Sequence, residues 1–131
     1  MKLFLPEPES GEVDLFIRSA AFAAGSRVLA TESRSAIARR LSRMNAPTAV
    51  VERSRARCRD WLRTVLFVEL DAELASDAGA LAERHLLRSL DAIHLASALR
   101  LTCSADDVVL GTFDLALRDA ARAESLAVFP A

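Results

Sequence analysis

Three acidic residues and one histidine stand where chemistry is possible. Asp91 and His94 lie three positions apart in "SLDAIHLASALRL", residues 89–101, a stretch otherwise apolar enough for a buried helix. Helix positions i, i+3, i+4 and i+7 share a face, so Asp91, His94, Leu95 and Ala98 are expected on one side. Asp114 directly follows the apolar run "VVLGT". Glu32 is expected on the inner face of its helix with Val28, Leu29 and Ala36, while Arg34, Arg39 and Arg43 point elsewhere. Converging carboxylates without a His or Cys ligand make a hard oxygen site, suited to Mg²⁺ or Mn²⁺ rather than Zn²⁺. Such a site activates water and steadies an in-line phosphoryl displacement.

Each residue also has a plainer role. Glu32 can sit half-solvated at the edge of an apolar stripe. Asp91 suits a helix N-terminus electrostatically, and Asp114 can be an N-cap. His94 can be a hydrogen-bonded core histidine. The choice depends on whether the elements bring the acids to one rim.

Those elements alternate. A loop precedes a helix over 10–18, capped by Ser10. The short apolar segment 20–25 reads as a strand, and Ser26 caps a helix to Met44, broken by "NAP" at 45–47. A helix from Thr48 to Arg63 has Val50, Val51, Ser54, Cys58, Trp61 and Leu62 as its inner stripe. Strands follow at 65–70, 107–112 and 126–130. Helices run over 72–84, capped by Asp71, over 90–101, capped by Ser89, and over 114–124. Helices alternating with short, continuously apolar strands predict an α/β fold, a short parallel sheet flanked by helices. In such sheets the functional crevice lies at the carboxyl ends of the strands. Glu32, Asp91 and Asp114 are the acids that meet this condition.

The chain's 131 residues suggest a single domain, and 52% hydrophobic with 27% charged residues excludes a disordered chain. No apolar run approaches the roughly 20 residues of a membrane span, and "MKLFLPEPES" is no signal peptide, so a cytoplasmic protein without membrane contact is expected. Cys58 and Cys103 form no CxxC pair and read as two small core residues. The net charge of −1 hides nine arginines between Arg34 and Arg63, opposed only by Glu52 and Asp60. That cluster is either a nucleic-acid footprint, with Arg55 and Arg59 as RNA-facing residues, or a solvated helix face in an arginine-preferring chain with a single lysine.

"RSLDAIHLASALRL" followed by "VVLGTFDLALRDAARAESLAVFP" closely resembles the C-terminal half of PIN-domain proteins. The nearest group is the VapC-like toxin ribonucleases of bacterial toxin–antitoxin pairs. The pattern is an Asp-Ala-x-His-Leu-Ala helix, a strand ending Thr-x-Asp, an alanine-rich helix, a short strand and a proline. "GSRVLATESRSAIARR" is similar to the family's helix with an inward Glu, and "LFLPEPES" to the segment after its first strand. The resemblance implies a three-layer PIN-like fold and RNA cleavage with Mg²⁺ or Mn²⁺. Glu32, Asp91 and Asp114 would be three of the family's four metal-binding acids, Thr112 a polar residue beside the last of them, and His94 a non-ligand supporting position. It further implies a homodimer neutralised by a small antitoxin. Met1 and Lys2 fall where the family's first strand has already delivered its Asp, so that strand and acid are expected to be missing here. On one expectation translation starts upstream and Met1 is an internal GTG valine codon. On the other, the chain is a truncated PIN-like protein that binds antitoxin or RNA without cleaving.

Overall fold

The computed structural model describes residues 10–131. Expectations for residues 1–9, the family's first strand and the loop before Ser10 among them, lie outside the described residues. The chain forms two compact units that meet in sequence between Phe67 and Val68.

The first unit contains α1 (Ser10–Ser19), β1 (Ala24–Ser26), α2 (Val28–Arg43), α3 (Thr48–Leu62) and β2, which begins at Leu66 and ends at Val68. Strands β1 and β2 pair, and the Leu66 N–H donates to the Ala23 carbonyl at 2.9 Å. Ser26 sits in the strand rather than at the cap, where Arg27 stands with no side-chain cap bond. Its hydroxyl still accepts from the Val28 N–H at 3.4 Å, a long version of the expected cap. Asn45, with φ 47°, and Pro47 end α2 and start α3 as the "NAP" break requires.

Packing between α2 and α3 sets the depth of each face. The buried stripe of α2 is Ser33, Ile37 and Leu41, one residue further on than the stripe expected through Glu32 and Ala36. Val28, Leu29, Glu32 and Ala36 are half-buried beside it. On α3 the buried residues are Ser54 and Cys58, with Val51, Trp61 and Leu62 packed against the same cluster. Val50 is exposed, a correction to its expected inward position. One helical step of about 100° separates it from Val51, and the contact with α2 is too narrow to cover both.

The second unit contains α4 (Ala72–His85), α5 (Ser89–Leu101), β3 (Val109–Gly111), α6 (Leu115–Ala123) and β4 (Ala127–Phe129). Its core joins Leu74, Ala78 and Leu81 of α4 to Ala92, Leu95 and Ala96 of α5 and to Leu117, Ala120 and Ala121 of α6. The helical i, i+3, i+4 spacing puts each set on one face, and the alanines let the helices approach closely. Leu74 and Leu95 are fully buried, each worth about 1.5–3 kcal/mol of transfer free energy. Strands β3 and β4 run parallel, Gly111 opposite Phe129.

Three expectations about local structure are corrected. The strands are three residues long and form two separate pairs, not one continuous sheet, among the described residues. Ser89 is the first residue of α5, and Arg88 takes the N-cap position without a side-chain cap bond. Cys103 is exposed and only Cys58 is a core residue, because Cys103 falls in the turn after α5.

Candidate active site

Asp114 is placed by two local bonds. Its carboxylate caps α6, accepting from the Leu117 N–H at 2.9 Å. Its own N–H donates to Thr112 Oγ1 at 3.1 Å. Thr112 is itself tied across the strand pair, its N–H donating to the Phe129 carbonyl at 2.9 Å. The rings of Phe113 and Phe129 meet edge to face at 6.5 Å. The end of β3 is therefore locked, and the Asp114 side chain leaves it in a defined direction. The N-cap reading of Asp114 is correct, and it accounts for only one carboxylate oxygen.

The other oxygen meets Arg88. One guanidinium, that of Arg88, reaches both acids: Nε lies 3.1 Å from Asp91 Oδ2, and one terminal nitrogen 3.4 Å from Asp114 Oδ2. Asp91 is carried here by the first turn of α5, which the buried Ala92 and Leu95 anchor in the core. Two carboxylates thus converge on one cation at the junction of the β3 end and the α5 start. Arg88 is the functional candidate that sequence reasoning missed. Its spacing of three from Asp91 in "RSLD" was the available signal, but the contact with Asp114, 26 residues on, is purely tertiary.

His94 lies on the expected face but is half-buried rather than enclosed in the core. Leu95 and Ala98 take the deep positions on that side. Glu32 belongs to the first unit, half-buried on α2. Neither Glu32 nor His94 is without a partner. Among the described residues, no group of three or more His, Cys, Asp or Glu side chains is gathered tightly enough to hold an ion. The Asp91–Asp114 pair nonetheless fits a hard cation: its donors are carboxylate oxygens, and both already direct an oxygen at a positive charge.

Two further acids in this unit do a different job. Asp71 caps α4 through the Leu74 N–H at 2.8 Å and takes a two-pronged contact from Arg100, at 2.8 and 3.2 Å. The Arg100 hydrogen bonds and then the Leu74 N–H hold its carboxyl below the usual range. Glu124 closes the C-terminal end of α6 against His85 and Arg84, at 2.7 and 2.8 Å. Hydrogen bonding from His85 first, then Arg84, depresses its pKa. Both are fully engaged in holding helices together, which removes them as ligand candidates.

The PIN domain family matches residues 2–123, and the chain belongs to that family. No curated protein matches the chain. PIN domains are nuclease folds, generally using divalent metal ions, which supports hydrolase chemistry here at that coarse level. No helix among the described residues is long and apolar enough to cross a membrane.

Proposed function

We propose that this chain is a metal-dependent endoribonuclease, the VapC-like toxin of a toxin–antitoxin pair, working as a cytoplasmic homodimer. The observation that carries the reading is the convergence of Asp91 and Asp114 on one cation at the end of β3. Membership of a nuclease family supports it. Asp91 and Asp114 would hold Mg²⁺ or Mn²⁺, which would supply water activation and charge compensation at the scissile phosphate, and Glu32 is the further acid that the family resemblance implies. Thr112 positions Asp114 through its backbone, and His94 supports the α5 face behind Asp91. Arg55 and Arg59 on α3 would face the RNA, and a small antitoxin protein would neutralise the enzyme.

A second reading has one observation in its favour. Arg88 already satisfies both acids, as it would in a PIN-like protein that binds antitoxin or RNA without cleaving. Purified wild-type and Asp91→Ala proteins, assayed on RNA with Mg²⁺ and with Mn²⁺, separate the two. Under the first reading the substitution abolishes cleavage and leaves melting temperature unchanged or higher, since one of two neighbouring like charges is removed. Wild-type cutting by Asp91→Ala refutes the assigned role. Growth arrest on induction that survives Asp91→Ala favours the binding-only protein.

A further inference from the structure

The first unit holds a cavity of about 610 Å³ between α2 and α3. Its walls come from two facing stripes: Thr31, Arg34 and Ser35 on α2, and Arg55 and Arg59 on α3. Its floor includes Ile37 and Cys58, each 1% exposed. At such a helix–helix contact the flanking positions are ordinarily apolar or of opposite charge. Here three guanidiniums ring one space. Arg34 and Arg59 have no ion-pair partner among the described residues, and the only one for Arg55 is Glu52 at 4.0 Å, with both side chains more than half exposed. A pair that loose contributes little. That Arg34 and Arg59 reach over the same floor from opposite helices is visible at Cys58. Burial pushes its thiol up, while Arg34 and then Arg59 pull the other way. The thiol therefore stays neutral and is neither a nucleophile nor a counter-charge for the arginines.

We propose that this cavity is a phosphate-binding site, with Arg34, Arg55 and Arg59 holding the oxyanion and Thr31 and Ser35 supplying hydroxyl donors. Guanidinium forks match phosphate oxygens two at a time, and a dianion cancels the mutual repulsion of the three arginines. The volume falls within the range of small-molecule sites and exceeds what a bare ion needs. The apolar floor suits whatever the phosphate esterifies. The phosphate is either a link of a nucleic-acid backbone or part of a free phosphorylated small molecule. The site lies in the first unit, and its assignment does not depend on cleavage at Asp91 and Asp114.

The test is calorimetric titration with inorganic pyrophosphate, in chelator and at constant ionic strength. Saturable binding is expected, weakened about tenfold or more by Arg34→Gln or by Arg59→Gln, the consequence of losing a charge-assisted fork. Arg57→Gln, which removes an α3 arginine outside the cavity, leaves it unchanged. Arg34→Lys keeps the charge without the fork and gives an intermediate loss. Absence of saturable binding overturns the proposal, as does a loss in Arg57→Gln equal to that in Arg34→Gln. A short uncleavable 2′-O-methyl RNA then distinguishes the two sources. Displacement of pyrophosphate by the RNA identifies the backbone, and simultaneous binding identifies a free phosphorylated ligand. Asp91→Ala binds pyrophosphate like the wild type, so failure of the ribonuclease reading and failure of this site are told apart.

Discussion

At the residue scale, the decisive group is Arg88. It is exposed and, among the described residues, held by the two acids it bridges, so its contribution to stability is small and its contact is easily exchanged. Under the proposed function a divalent ion at Asp91 and Asp114 would have to displace it, so the arginine would compete with the metal. Replacing it with glutamine removes the competitor and leaves two carboxylates facing each other. Arg88→Gln is expected to bind Mn²⁺ more tightly by calorimetry. In chelator it melts at a slightly lower temperature than wild type, and saturating metal raises its melting temperature by a larger increment. Mn²⁺ affinity equal to or below wild type would show that the ion does not take Arg88's place.

At the element scale, helix ends determine where the acids point. The periodicity of "SLDAIHLASALRL" puts Asp91, Leu95 and Ala98 on one side of α5, and the structure buries Leu95 and Ala98 there and leaves Asp91 half-buried. Ser89 has the right type for the cap of α5, yet Arg88 takes that position, and nothing local shows that Arg88 reaches Asp114. The C-terminal end of α4 shows a similar conflict. Leu86 adopts the left-handed conformation, φ 53°, with 90% of its surface exposed. A non-glycine residue there costs about 1–2 kcal/mol, and the usual occupant is glycine. Glycine's greater freedom in the unfolded chain takes back about 0.4–1 kcal/mol. Leu86→Gly is therefore expected to raise stability by up to about 1 kcal/mol in urea unfolding. A loss of stability would mean that the exposed leucine makes a contact of its own, as a binding surface would.

At the scale of the whole molecule, charge divides by unit. Nine arginines crowd residues 34 to 63, whereas the second unit pairs its charges internally, through Asp71 with Arg100 and Glu124 with Arg84 and His85. The second arrangement has a pH signature. The folded pKa of Glu124 is depressed, so the unfolded chain binds the extra proton first as pH falls. Its contribution is complete above the ordinary carboxylate range and is lost as pH drops through the lower, folded value. Glu124→Gln is accordingly less stable than wild type at neutral pH, and the gap narrows in acid. Urea unfolding at a series of pH values reads this directly, and a gap that widens in acid contradicts it.

Much of the fold was legible from the chain itself. Apolar spacing and cap residues together located the helices among the described residues, because a helix that packs on one side buries its apolar stripe there. Asp71 and Asp114 were identifiable as caps, since the donors they satisfy lie three residues away. The depth of a stripe, by contrast, is decided by the partner helix. Packing against α3 buries Ser33, Ile37 and Leu41 and leaves Glu32 and Val28 halfway out. The contact of Arg88 with Asp114, and that of Arg34 with the space flanked by Arg55 and Arg59, join residues whose separation in sequence carries no signal. Only the close approach of α5 to the end of β3, and of α2 to α3, made them neighbours. Local periodicity specifies which way a side chain faces, and tertiary packing decides what it meets there.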